Sequence, residues 1–342
     1  MKRSAAVRRT ARAFRPMMAL ALTALFFARK WPAGKRRLQF LHAFRAGRKF
    51  YRTYPHIAKD IVYGDRPRQT LDVYWPPLST GATGTGDRLP VVLFVYGGSW
   101  SWGDKTLYPL VGARFAERGF VVVVINYRLY PEAVFPAFVE DAAAAVAWTR
   151  RHIAAYHGDP NRIIAGGHSA GGHILSLIAL DERYLAAHGL ARDALRGVIA
   201  ISAPTDLAAL MRHLDRPRSG ASSQGLLAVM GGPDRLAQAD PIRHARPGAP
   251  PFLLLHGERD DVVPISIARD FAAALAAAGA PVELREYERT DHYSIVLDGA
   301  RSKPDRPARL LLDALDFARR LGAAPDAARV HAKSVTLPVA GG

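Results

Sequence analysis

RIIAGGHSAGGHILSLIAL, residues 162–180, is the stretch that decides the fold. It opens on an apolar run, residues 162–167, short enough for a buried strand, and the run from Gly171 to His188 reads as helix. Between them stands Gly167-His168-Ser169-Ala170-Gly171, a G-x-S-x-G pattern. A chain that turns sharply from strand to helix holds its central Ser in a strained backbone. The neighbours two positions away must then lack side chains. Such a turn lifts a serine hydroxyl off the end of a sheet and aims the next amide at a developing negative charge. The bare pattern is common; its place after an apolar strand and before a helix makes it specific.

Outward from this stretch the same alternation repeats. Residues 91–96 (VVLFVY), 120–127 (FVVVVINY), 197–202 (GVIAIS), 252–257 (FLLLHG) and 282–288 (VELREYE) are strand candidates. Helical runs fall near residues 106–118, over Phe135 to Tyr156, after 257 through Ala278, and over Pro307 to Leu321. Alternating strands and helices predict a mainly parallel sheet with helices on both faces. Ahead of it, IVYG and TLDVYW flank a Gly-Asp-Arg-Pro turn and predict an antiparallel pair beginning near Ile57. Residues 206–249 interrupt the alternation between the fourth and fifth parallel strands; Leu226, Leu227, Val229 and Met230 make one end of this insertion apolar.

With the elbow so placed, the chain resembles the α/β-hydrolase fold over about residues 57–321. More narrowly it is similar to the esterases that include feruloyl-esterase-like enzymes, isoprenylcysteine methylesterases and arylformamidases. YGGSWSWGDK, residues 96–105, matches that group's second motif. By resemblance it supplies oxyanion-hole amides from Gly98 and Ser99, joined by Ala170. Tyr96 stands where the group usually has His, which removes the usual source of the hydrogen bond bracing this loop. Trp100 and Trp102 follow the glycines directly; they either wall a substrate pocket or pack the loop. By the same resemblance, the insertion at residues 206–249 is either a small lid over the site or a structural excursion of the chain.

A serine needs a base, and the base an orienting acid. LLLHGERDDVVP resembles the group's acid loop, in a register that selects Asp260 rather than Asp261. ERTDHYSI puts His292 after the sixth strand, and the order Ser169, Asp260, His292 is the one expected of this fold. Other residues read as structural: His168 beside the nucleophile on a turn that points it elsewhere, Asp141 in its helix, and Asp159-Pro160 as turn chemistry. His152, His157 and His173 lack metal-ligand spacing. GATGTG, residues 81–86, precedes its strand and matches no phosphate or dinucleotide pattern.

The charge is uneven. Of 47 Lys and Arg, 16 fall in residues 1–60 against one acid, Asp60; the other 282 residues hold 31 bases and 29 acids. Residues 1–56 therefore read as a basic leader, 57–321 as the hydrolase body, and 322–342 as a loose tail. Met17 to Ala28 (MMALALTALFFA) is apolar and signal-like, but too short to span a bilayer as a helix. Arg29-Lys30 after it makes a poor cleavage site. Leu38, Phe40, Leu41, Phe44 and Phe50, interleaved with Arg36, Arg37, Arg45, Arg48 and Lys49, predict a basic amphipathic helix. We expect the leader to dock on an anionic membrane from the cytoplasmic side without spanning it. The alternative is a cap folded back over the site. A nucleic-acid arm would not need the apolar block. The chain has no Cys, which excludes disulfides and thiol chemistry.

The expected activity is hydrolysis of a small-molecule carboxylic ester through an acyl-enzyme, without metal or organic cofactor. The alternatives are an arylformamidase or other amide hydrolase with the same three residues, and a non-catalytic binding protein on the fold. Oligomeric state and physiological substrate are not legible in the sequence.

Overall fold

The computed structural model describes residues 47–77, 88–216, 222–301 and 307–323. Eight strands form one sheet in the order β1-β2-β4-β3-β5-β6-β7-β8. They are β1 Ile57–Val62, β2 Thr70–Tyr74, β3 Leu89–Val95, β4 Val121–Ile125, β5 Gly158–His168, β6 Gly197–Ile201, β7 Phe252–Gly257 and β8 Val282–Tyr287. β1 and β2 pair antiparallel, and so do β2 and β4. All pairs from β4 through β8 are parallel. The predicted hairpin and parallel sheet are both present.

The continuous apolar runs fall where the sheet is covered on both faces. Every residue of β4, VVVVI, is fully buried. Full burial of one such side chain contributes roughly 1.5–3 kcal/mol, so the centre of the sheet carries much of the stability. The covering helices are α1 Pro109–Ala116, α2 Ala137–His152, α3 Ala170–Leu180, α4 Glu182–Ala186, α5 Leu207–Leu214, α6 Ser223–Met230, α7 Pro233–Ala239, α8 Ile265–Ala277, α9 Ser294–Arg301 and α10 Arg309–Gly322. α10 buries Leu311, Ala314, Leu315, Phe317 and Ala318, a one-sided stripe at helical spacing.

Three features differ from the sequence reading. The helix expected from Gly171 to His188 is two, because Asp181 turns extended (φ −102°, ψ 102°) and its carboxylate caps α4 by accepting from the Arg183 amide. The insertion after β6 holds α5, α6 and α7. α9 follows His292 directly, its start held by Asp291 Oδ1 accepting from the amides of Tyr293 at 3.1 Å and Ser294 at 2.8 Å. Packing on the body also begins before Ile57. Residues 47–53 are helical, Phe50 and Tyr54 lie against the core, and the Tyr54 hydroxyl donates to the Trp75 carbonyl at 3.0 Å. The apolar block Met17–Ala28, Phe40 and Phe44, residues 81–86 and the tail after Ala323 lie outside the described residues.

Candidate active site

β3, β5, β7 and β8 all deliver their following loops to the carboxyl edge of the sheet, the usual place for a site in an open α/β sheet. At the end of β5, Ser169 has φ 53° and ψ −122°. A non-Gly residue held in that region stores about 1–3 kcal/mol of strain. The flanking glycines are required by contact: a Cβ on Gly167 would lie 2.5 Å from the Gly171 carbonyl carbon, and one on Gly171 would lie 2.1 Å from the Val95 carbonyl oxygen. The sharp turn therefore places Ser169 at the N-terminus of α3, next to the turn after β3.

Ser169, His292 and Asp260, which come from loops after three different strands, meet in one line. His292 Nε2 is 3.0 Å from Ser169 Oγ, and His292 Nδ1 is 2.8 Å from Asp260 Oδ2. All three are buried. The register within the acid loop is set by backbone: Asp260 Oδ1 accepts from the amides of Val262 at 3.0 Å and Val263 at 2.8 Å. Asp261 has an exposed side chain, and its carbonyl oxygen lies 2.8 Å from His213 Nε2 of α5. Burial disfavours charge on Asp260, but attraction to His292 and the hydrogen bonds of His256 and His292 outweigh it. They hold the carboxyl well below the usual carboxylate range. His256 braces the same loop, with Nε2 2.8 Å from the Val263 carbonyl.

The turn after β3 is bent through Gly98 (φ 142°), Ser99 (φ 49°) and Trp100 (φ 54°). Ser101 and Trp102 amides donate back to the Gly98 carbonyl at 3.0 and 3.1 Å, which closes it. This turn abuts the elbow, since a Cβ on Gly97 would be 2.8 Å from Ser169 Cβ. Ala170 is the first residue of α3, where an amide has no partner within the helix. The two tryptophans separate. Trp100 is buried against Phe138, and its indole N–H donates to His173 Nδ1 at 3.3 Å. Trp102 is half-buried, with its ring over Gly98. His173 Nε2 in turn donates to the Ala239 carbonyl at 2.7 Å, tying the insertion to α3; burial pushes this imidazole down to about 4, so it stays neutral.

Two residues near the site escape the sequence reading. Arg68, from the β1–β2 turn, runs under the loop after β3. Its Nε donates to the Tyr127 carbonyl at 2.8 Å, and one Nη donates to the Tyr96 hydroxyl at 2.6 Å and the Gly103 carbonyl at 2.8 Å. The brace that Tyr96 was expected to lack is thus supplied by a different pair. The only signal was the departure at position 96 itself. His168 does not point away from the site: its Nε2 is 3.0 Å from the His292 carbonyl oxygen.

A strained serine at a strand–helix elbow, a buried His–Asp pair in line with it and an amide-rich turn beside it thus meet at one edge of a sheet that has the α/β-hydrolase fold. The BD-FAE family model matches residues 71–275, and the chain belongs to this family. It is 32% identical over 262 residues to the probable isoprenylcysteine alpha-carbonyl methylesterase ICMEL1 of Arabidopsis thaliana, covering 72% of this chain and 53% of that protein. It is 32% identical to esterase LipC of Mycobacterium tuberculosis, covering 80% of this chain and 68% of that protein. Among solved structures it is similar to Thermogutta terrifontis esterase 2 phosphonylated by sarin, with 26% identity, a TM-score of 0.61, and coverage of 76% of this chain and 94% of that one. The chain spans 53% of ICMEL1, about half that relative's length.

Proposed function

We propose that the protein is a carboxylic ester hydrolase that works through a covalent acyl-serine. Ser169 Oγ attacks the ester carbonyl while His292 Nε2 takes its proton. Asp260, kept ionised, holds the proton of His292 on Nδ1 and stabilises the imidazolium that forms. The amides of Gly98, Ser99 and Ala170 receive the developing oxyanion. His292 then protonates the departing alcohol. Water, deprotonated by the same nitrogen, cleaves the acyl-enzyme and restores Ser169. No step calls on a metal or organic cofactor. Trp102 is the better candidate of the two tryptophans for the pocket wall, because Trp100 is committed to His173 and Phe138.

The observation that carries this reading is the continuous line Asp260–His292–Ser169, at 2.8 and 3.0 Å, on a serine held at φ 53°. The names of the esterase relatives support it. A fluorophosphonate probe should label Ser169, and Ser169→Ala should abolish labelling and lower kcat by at least roughly 10³-fold with the fold intact. Labelling that survives the substitution would show the nucleophile to be another residue. A p-nitrophenyl ester chain-length series run beside N-formylkynurenine separates an esterase from a formamide hydrolase with the same three residues.

The partners we propose are a small-molecule ester and, through residues 1–56, an anionic membrane surface on the cytoplasmic side; nucleic acid is not among them. Among the described residues no helix is long and apolar enough to cross a membrane.

A further inference from the structure

We infer that His168 is a positioning residue, whose ring fixes the height of His292 over Ser169 by donating from Nε2 to the His292 carbonyl. The inference rests on the triad reading above. The acid and base loops are tied to each other: the Arg259 amide donates to the Thr290 carbonyl at 3.0 Å, beside the 2.8 Å bond of His292 to Asp260. That tie holds the pair together but does not set its distance from the elbow. His168 does, because it precedes the nucleophile in the chain and reaches the base residue's own backbone at 3.0 Å. The rings of His168 and His292 lie 4.9 Å apart, tilted by 44°.

Three observations fix the ring. First, it is buried, 5% exposed, and wedged against the turn after β3: a Cβ on Gly97 would be 2.9 Å from its Nδ1. His168 therefore touches the oxyanion turn, the nucleophile's backbone and the base loop together. Second, Nδ1 has no hydrogen-bond partner among the described residues, so the Nε2 bond is the ring's one polar tether. Third, burial and the neighbouring charge of His292 push His168 down to about 3, so the ring is neutral. A neutral imidazole facing a carbonyl through Nε2 carries its proton there, and Nδ1 keeps the lone pair. It places no second cation beside the imidazolium that catalysis requires.

The test uses the full chain with p-nitrophenyl butyrate and a fluorophosphonate. Gln puts an amide donor near the position of His Nε2, and Met fills similar space without a donor. His168→Met should lower kcat roughly 10- to 100-fold, the scale of a misplacement near 1 Å, with KM within about threefold. Its rate of Ser169 labelling should fall in parallel. His168→Gln should recover most of both. Should the Met variant fail to fold, His168→Asn, whose donor sits at the δ position, should show the same loss of kcat. Wild-type kcat in the Met or Asn variant, or equal losses in Met and Gln, would overturn the positioning role while leaving the triad standing. Absence of probe at Ser169 in the wild type would overturn the triad reading, and this inference with it.

Discussion

The Tyr96 hydroxyl and the Arg68 guanidinium meet at 2.6 Å beneath the loop that carries Gly98 and Ser99. Tyr96 is fully buried, stacked on Tyr127 at 4.8 Å, and its ring would collide with a Cβ on Gly103 at 2.5 Å. Ring and guanidinium together hold the two ends of the loop, because Arg68 also bonds the Gly103 carbonyl. Tyr96→Phe keeps the ring and removes the acceptor. Leaving a buried donor short of a partner costs about 1–3 kcal/mol. We expect that loss in chemical denaturation, with kcat down roughly tenfold as the Gly98 and Ser99 amides, the proposed oxyanion donors, drift. Arg68→Met should act through the same contact, so the double variant should cost less than the two singles added. Additive effects would show that the pair does not act as a unit.

Adjacent aspartates give a sharper contrast. Asp260 uses both carboxylate oxygens, one on His292 and one on the Val262 and Val263 amides. Asp261 contributes its main-chain carbonyl to His213, and its side chain is exposed. Asp260→Asn should lower kcat by about 10²–10⁴-fold by disturbing the tautomer of His292. Asp261→Asn should stay near wild type, since the substitution leaves the carbonyl in place. Steady-state kinetics of the two variants decide the point. The reverse order would move the acid by one residue.

These examples mark the limit of what the sequence can carry. The strands, the elbow, Asp260 and His292 are legible because each motif sits next to an apolar run of fixed period, and the fold brings strand ends to one edge. The roles of Arg68 and His168 are not. They depend on contacts between positions 28 and 124 residues apart, made by residue types that usually serve elsewhere. The helices α5, α6 and α7 were also hidden. They are seven or eight residues long, too short to show periodicity, and are announced mainly by caps such as Asp206 and Ser222. Helix α9 had a similar cue in Asp291 and Ser294, which reads equally well as a polar loop.

Asp240 should make stability depend on pH. It is buried, and its Oδ1 accepts from the Leu207 amide at 2.8 Å at the start of α5. Burial pushes its carboxyl up to about 6, helped by nearby Asp206 and only partly offset by the Leu207 and Ala208 amides and Arg243. The folded state thus binds a proton between pH 4 and 6 that the unfolded chain has already lost. By linkage, this group's contribution to stability is greatest below about pH 4, falls as pH rises to about 6, and is constant above. Asp240→Asn removes the titration. The stability of the variant relative to wild type should therefore be higher at pH 8 than at pH 4, by on the order of 2 kcal/mol. Urea unfolding of both proteins at the two pH values checks this. A difference independent of pH would place the Asp240 carboxyl near its ordinary value.

The leader supplies the last prediction. Residues 47–53 anchor it to the body: a Cβ on Gly47 would lie 3.2 Å from Pro109 at the start of α1, and Phe50 stacks on Tyr54 at 4.6 Å. Arg48, Lys49 and Arg52 stay exposed on this anchor, and Lys59 follows on β1. They continue the positive charge of residues 1–46, which also carry the apolar block and most of the amphipathic pattern. Each Lys or Arg near an anionic leaflet contributes about 1 kcal/mol, within a Debye length of about 8 Å at physiological salt. Several such charges with inserted Phe and Leu side chains give reversible binding. Full-length protein should therefore pellet with phosphatidylglycerol vesicles, bind neutral vesicles weakly, and be released from the anionic ones at 1 M salt. A chain starting at Gly47 keeps the packed anchor and should stay in the supernatant. Equal pelleting of the two proteins, or of neither, would refute docking through the leader. A change of ester selectivity in free solution on truncation would instead put residues 1–46 over the site as a cap.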